Sequence, residues 1–262
     1  MKFSAPNARG GPPEDSAHGA LVSTIRHDWR LHNILVVIPA LNEADSISSI
    51  VEEIIAAGPY DVAVVDDNSG DATAVLAMGA GAHVIRLPHH LGSWRATQTG
   101  IKYAKRLGYD VAVTLDADGQ HKPADIVKLT SALSTNSGHL VIGACTERGS
   151  AARRVAWRML RATSGIHYGD ITSGFRALDR QAISLLSSSA AVIYDYQDVG
   201  VLLMCDKAGI TVTEVPVEML HRKNGKSRIF HSWPAVLTYM LTTLLLGVAK
   251  RNNTRKARNR GR

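Results

Sequence analysis

"NILVVIPALNEADSISSIVEEIIAAGPYDVAVVDDNSGD" (33–71) decides the fold, because it holds one complete strand–helix–strand unit. Residues 33–41 are apolar and β-branched, with the run stopping at Pro39, the mark of a strand buried on both faces. Ile47, Ile50, Val51, Ile54 and Ile55 then recur at helical spacing. Asp45 or Ser46 can cap this helix, and Gly58-Pro59 ends it. "DVAVVDD" (61–67) is a second strand. Such a unit predicts two parallel strands joined by a crossover helix.

The alternation continues outward. "DATAVLAMGAGA" reads as a helix ending at Gly79 or Gly81, "HVIRL" (83–87) as a third strand, and "WRATQTGIKYAKRLG" as a helix stopped by Gly108. "DVAVTLD" (110–116) is a fourth strand, "PADIVKLTSALS" a helix, and "HLVIGAC" (139–145) a fifth strand. The expected class is α/β, a mostly parallel sheet with helices on both faces. The C-terminal half is less regular: "VAWRMLRATSG" looks helical, and "DITSGFRALDRQAISLLSSS" holds a turn and then a helix. "YDYQDVGVLLMCDKAG" reads as a helix capped by Gly209, and "ITVTEVPVEM" as a strand.

The bulk numbers are those of an ordinary globular chain: 262 residues, 45% hydrophobic and 20% charged. The formal charge of +7 resides wholly in "KRNNTRKARNRGR" (250–262), whose seven Lys or Arg are accompanied by no acid. The basic balance therefore belongs to a tail suited to anionic lipid or nucleic acid, or to simple solvation, and not to the folded body. Cys145 and Cys205 form no spacing motif, which points to free thiols in a reducing compartment. Residues 1–30 are polar and Pro/Gly-rich, without a signal-peptide core, and are expected to be flexible. The body spans 31–232, and an apolar segment (233–249) precedes the basic tail. Within it, "PAVLTYMLTTLLLGVA" (234–249) carries no charge over 16 residues. It is short for a span, which wants ~20 apolar residues. A helix lying in a membrane surface and a buried packing helix are the favoured readings, ahead of a full span.

The polar clusters fall at strand ends, "PALNE" after the first, "DDNSGD" after the second and "DADGQH" after the fourth. Ligands of open α/β sheets bind beyond the carboxyl ends of the strands. "TLDADGQH" (114–121) is no EF-hand, because Gly119 stands at the fourth position of the loop and the twelfth-position Glu is absent. By itself it is either an acidic turn or a divalent-metal site. In the second case Asp116 and Asp118, at i and i+2, converge on one hard cation with the Gln120 amide oxygen beside them. No P-loop and no G-x-G-x-x-G follows the first strand. A nucleotide diphosphate bound here would need a metal to neutralise it. The 11 histidines show no H-x-x-x-H spacing. His89 and His90 read as loop residues, and His121 as either a metal neighbour or a solvated tip residue.

"VVIPALNEADSI", "VVDDNSGDAT", "LDADGQH", "DITSGFRAL" and "EVPVEMLHRKNGKSRIF" occur in that order. Together they resemble the motifs of family-2 glycosyltransferases of the GT-A fold, in particular the dolichyl-phosphate mannose synthase-like and polyprenyl-phosphate hexosyltransferase group. The resemblance covers roughly residues 33–230. It implies that Pro39, Leu41 and Glu43 line the nucleotide pocket, that Val65 and Asp67 contact base and ribose, and that Asp116, Ala117 and Asp118 meet the nucleotide sugar. It implies Mg²⁺ or Mn²⁺ held by Asp116 and Asp118 with Gln120, catalytic Asp118, and Arg222 and Arg228 at the donor and acceptor phosphates. Thr172, Arg176 and Lys226 would flank the acceptor; Lys223 and Lys226 can also be read as a solvated charge run.

The implied reaction is inverting transfer of a hexose from a nucleotide sugar (GDP-mannose or UDP-glucose type) to a polyprenyl phosphate. The implied setting is the cytoplasmic face of a membrane, peripherally bound, with room for a small membrane-protein partner and no nucleic acid. Two alternatives remain. One is transfer to a hydroxyl of a glycan or lipid-linked sugar, for which Asp198 or Asp195 would be the base. The other is a non-catalytic nucleotide-sugar-binding protein. Three positions depart from the group's pattern. Trp94 stands where a Gly is usual, Cys145 stands where an Arg is usual (with Arg148 as a substitute), and Gly200 stands where a Glu is usual.

Overall fold

The computed structural model describes residues 33–135, 138–145, 168–193 and 199–220. Several expectations fall outside them: the N-terminal segment, the helix around 155–165, Arg148, Asp195, Asp198, the cations Arg222, Lys223, Lys226 and Arg228, the apolar segment 233–249 and the basic tail.

The chain runs β1 (Ile34–Ala40), α1 (Ile47–Ala57), β2 (Asp61–Asp66), α2 (Thr73–Gly79), β3 (His83–Arg86), α3 (Ser93–Leu107) and β4 (Val111–Thr114). A 3₁₀ turn (Pro123–Asp125) leads into α4 (Ile126–Thr135). Then come β5 (Leu140–Ala144), β6 (Arg176–Leu178), α5 (Arg180–Leu186), a second 3₁₀ turn (Ser189–Ile193), α6 (Val199–Lys207) and β7 (Val212–Pro216). The seven strands form one sheet in the order β3-β2-β1-β4-β6-β5-β7. Among the described strands only β6 is antiparallel to its neighbours. The other six strands therefore end at one common edge, and β6 begins there.

Alternation along β1 explains the layers. Leu35 and Val37 face a core shared with α3, α5 and α6. Ile34, Val36 and Ile38 face the opposite core, with residues of α1 and α4. All five are at most 1% exposed, which is why the sequence shows an unbroken apolar run instead of alternation. Gly100 lets α3 lie against β1: a β-carbon there would stand 2.1 Å from Val37 Cγ1. Gly100→Ala gains about 1 kcal/mol of helix propensity. The overpacking against a strand hydrogen-bonded on both sides costs about 1–3 kcal/mol. We expect net destabilisation, measured as a lower urea midpoint with an unchanged m-value; a midpoint at or above the parent's would contradict the close approach.

Three local expectations need correction. β6 was not anticipated: at three residues, in a stretch that reads as turn then helix, it carries no periodic signal, and it is made by antiparallel pairing to β4 and β5. Neither Asp45 nor Ser46 caps α1 with its side chain; Ser46 occupies the N-cap position, but its hydroxyl donates to Ala117 O at 2.7 Å. Ile55, placed on the apolar stripe of α1, is 46% exposed, because the stripe needed here is narrower than five positions.

Candidate active site

The chain leaves β1 for β2 and β3 on one side and returns to β4 on the other. The strand order thus reverses between β1 and β4, and the crevice between their carboxyl ends is the place where such sheets bind ligands. "PALNE" leaves β1 at that crevice and "LDADGQH" leaves β4 at it.

Hydrogen bonds lace the first two loops together. Asn42, in the left-handed region at φ 54°, donates its backbone N–H to Ser69 Oγ (2.9 Å) and accepts from Gly70 N through Oδ1 (2.9 Å). Glu43 N donates to Thr73 Oγ1 at 2.8 Å, and Ala44 N to Asp71 Oδ2 at 3.2 Å. Asp67 N donates to Ala40 O at 2.8 Å. The β1 and β2 loops are therefore one preformed wall, not two flexible tips.

Asp66 and Asp67 belong to the frame of that wall. Asp66, fully buried, accepts from Ser69 N at 3.1 Å. Arg86 Nε lies 3.2 Å from Asp66 Oδ2 as an ion pair whose angle falls short of a hydrogen bond. Asp67, 2% exposed, accepts Leu91 N at 2.7 Å and Gly92 N at 2.9 Å, one on each oxygen, with His90 Nδ1 at 2.8 Å. Its carboxylate pins the loop after β3, so a base or ribose reaching it would have to share those oxygens. Val65 is fully buried in the core on the α3 side, so its side chain does not reach the open edge. Pro39, Leu41 and Glu43 sit at or just past the end of β1, partly exposed beside the crevice.

Across the crevice, Asp116 and Asp118 occupy the tip after β4. Asp118 Oδ1 accepts Gln120 N at 3.1 Å, a local turn that holds the two carboxylates on one short loop. Ala117, 4% exposed, offers its carbonyl to Ser46 and ties the tip to α1. Gly174 was not singled out from the sequence, yet it shapes the site. A β-carbon on it would stand 2.5–2.7 Å from the Asp116 carboxyl atoms, and its carbonyl accepts Thr114 Oγ1 at 2.6 Å. The sequence signal was a Gly at the onset of an unrecognised strand. His121 is not a solvated tip residue: it is 3% exposed, stacked at a tilt on Phe175, with Nε2 3.7 Å from Asp116 Oδ2.

Gln120 links the tip to the last described segment. Its carbonyl accepts Leu220 N at 2.8 Å, its Nε2 donates to Leu220 O at 3.3 Å, and His121 bridges Met219. Leu220, the last described residue, therefore lies beside the loop that carries the two carboxylates. On the β5–β7 half of the edge, Arg176 is 2% exposed and donates to Ser173 O (2.9 Å) and Ile171 O (3.0 Å). It braces the "DITSGF" loop from beneath. Thr172 N and Oγ1 donate to Asp170 Oδ1, and Glu214 accepts the amides of Gly169 and Asp170.

Trp94 does not crowd the crevice: it is buried at 2% exposure and its indole donates to Ala191 O at 2.8 Å. Gly92, at φ 92°, supplies the loop bend just before it. Cys145, at the end of β5, donates its amide to Asp170 Oδ2 at 3.3 Å. Both thiols are free, and burial pushes that of Cys205 up to about 11, which leaves it an inert core residue. Gly200 lies buried in α6.

Among the described residues, no group of three or more His, Cys, Asp and Glu is arranged to hold a metal by itself. Two carboxylates on a short loop, with the Asp116 side chain still 36% open, suit instead a hard cation that completes its shell with substrate oxygens.

This architecture, a mostly parallel sheet with an acidic tip at its switch point, is the GT-A fold. Glucosyl-3-phosphoglycerate synthase from Mycobacterium tuberculosis, crystallised with Mn²⁺ and UDP-glucose, superposes with a TM-score of 0.65 at 23% identity, over 91% of this chain and 85% of that one. The sequence profile of Glycosyl transferase family 2 matches residues 35–191, and the chain belongs to that family. It is a glycosyltransferase. The polyprenol monophosphomannose synthase of Mycolicibacterium smegmatis is 30% identical over 213 residues, covering 74% of this chain and 80% of that protein. The undecaprenyl-phosphate mannosyltransferase of Micrococcus luteus is also 30% identical, over 75% of this chain and 87% of that protein.

Proposed function

We propose that this chain moves a hexose from a nucleotide sugar to a polyprenyl phosphate, with inversion, at the cytoplasmic surface of a membrane. The observation that carries the reading is the pairing across the β1/β4 switch point of a preformed "PALNE" wall with the Asp116/Asp118 tip. The relatives that act on polyprenol and undecaprenyl phosphates support the acceptor class.

The residues divide the work by charge. Pro39, Leu41 and Glu43 hold the nucleoside, with Asp67 fixing the loop that closes its far side. Asp116 and Asp118 hold Mg²⁺ or Mn²⁺, which when bound neutralises the diphosphate as it departs. Gln120 positions this tip against Leu220, and Arg222 and Arg228 add positive charge at the donor and acceptor phosphates. Thr172, on the loop that Arg176 braces, flanks the acceptor together with Lys226.

A phosphate monoester has a second pKa near ~6 and is already anionic at neutral pH, so its oxygen attacks without a strong base. In keeping with this, the Asp170 and Glu214 carboxylates on the β5–β7 half are committed to backbone amides. Transfer to a hydroxyl would instead require a base such as Asp198.

A thermal-shift panel of UDP- and GDP-sugars, each with Mn²⁺, identifies the donor, because a ligand that binds only the native state raises its apparent stability. One nucleotide class is expected to give the larger shift, and only with metal; no shift with any of them would contradict donor binding.

Among the described residues no helix is long and apolar enough to cross a membrane. The proposed attachment therefore rests on residues 233–262. Deleting them is expected to move the protein from the membrane fraction to the supernatant, and an unchanged membrane fraction would refute the assignment.

A further inference from the structure

We infer that His121 is a positioning residue for Asp116: a buried imidazole whose Nε2–H sets the orientation of that carboxylate toward the metal. The inference rests on the metal role proposed above for Asp116 and Asp118.

The geometry confines the ring. The His121 side chain is 1% exposed, and its ring centroid lies 5.0 Å from that of Phe175, itself fully buried. Its backbone bridges Met219, and the carbonyl of the preceding residue, Gln120, accepts Leu220 N. The ring cannot follow a moving carboxylate; the carboxylate must settle against the ring. On its other side Asp116 meets Gly174, whose Cα hydrogens are all that the space allows. Asp116 thus has Gly174 packed closely against its carboxyl group and the His121 imidazole 3.7 Å away, with its side chain 36% exposed.

The tautomer follows from the neighbours. A ring nitrogen facing a carboxylate oxygen carries the proton, since two acceptors would repel, so a neutral His121 is the Nε2–H form. At 3.7 Å the approach is electrostatic and not yet a hydrogen bond. Nδ1 is then a bare acceptor, and it has no hydrogen-bond partner among the described residues. An unsatisfied buried nitrogen weakens the fold, and a phenyl ring would pack on Phe175 without that loss. What the imidazole provides and a phenyl ring cannot is a ring N–H within 3.7 Å of Asp116 Oδ2. Groups that orient a metal-ligating carboxylate in this way typically change metal affinity 10–100-fold when removed.

The test uses the full chain with a nucleoside diphosphate and reads bound Mn²⁺ directly by electron paramagnetic resonance titration. His121→Phe keeps the ring and removes the donor; its Mn²⁺ dissociation constant should rise about 10–100-fold. His121→Gln places an amide N–H near the Nε2 position and should restore most of the affinity, whereas His121→Asn, whose amide sits near Nδ1, should not. In the Phe variant, raising Mn²⁺ should recover transfer. An unshifted constant in His121→Phe, or equal constants in the Gln and Asn variants, would overturn the inference and leave a packing role. Parent protein that binds no Mn²⁺ in the same titration would overturn the metal reading itself, so the two failures are separable.

Discussion

Asp118→Asn should lower transfer by at least about 10²–10³-fold, the loss typical when one electrostatic stabiliser of a developing charge is removed. Asparagine is the informative substitution. Its side-chain oxygen can still accept Gln120 N, as Asp118 Oδ1 does at 3.1 Å, so the tip turn survives while the negative charge is lost. Asp118→Ala removes charge and turn together and should lose as much activity or more. Chelation with EDTA should reproduce the loss in the parent. The check is initial-rate transfer with the melting temperature measured alongside. Near-parental transfer by a folded Asp118→Asn, or by the parent in EDTA, would remove the carboxylate–metal account.

Gly174→Ala should be the second most damaging single change, although it adds only one methyl group. The new carbon would lie 2.5 Å from Asp116 Oδ2 and 2.6 Å from Oδ1. The backbone cannot yield easily, because Gly174 O receives the Thr114 hydroxyl and the next residues enter β6 between β4 and β5. Asp116 must therefore turn. We expect a 10–100-fold weaker Mn²⁺ constant, together with a stability loss of about 1–3 kcal/mol from overpacking. Isothermal titration with Mn²⁺ plus nucleoside diphosphate separates the two effects. A Gly174→Ala protein with parental Mn²⁺ affinity would show that Asp116 is not held as described.

Much of this was legible in the residues. Strands buried on both faces, β1, β2, β4 and β5, announce themselves as apolar runs, whereas the part-exposed edge strands β3 and β7 could be read from their β-branched residues, and the acids at strand ends followed from the strand directions. The tip at 114–121, by itself either an acidic turn or a metal site, was singled out by its place at the carboxyl end of a strand among the other motifs. β6 was not legible, since a three-residue strand is defined by its partners and not by its own pattern. Gly174 was lost with it. His121 could not be placed, because its burial comes from Phe175 and from the bridge to Met219, both far away in sequence. Asp67 illustrates the converse. An acid at a strand end reads as a ligand group, yet here both oxygens accept amides of a loop more than twenty residues on. The departure at Trp94 also resolves physically: the indole turns into the core toward Ala191, so bulk at that position leaves the crevice open.

The most direct measurement is an initial-rate assay of the purified chain with a radiolabelled nucleotide hexose, a polyprenyl monophosphate in detergent, and Mn²⁺. Label should pass into the lipid fraction as an acid-labile hexosyl phosphate, and EDTA or Asp118→Asn should stop it. Label that stays with the nucleotide, or passes to lipid equally well in EDTA, would contradict the account.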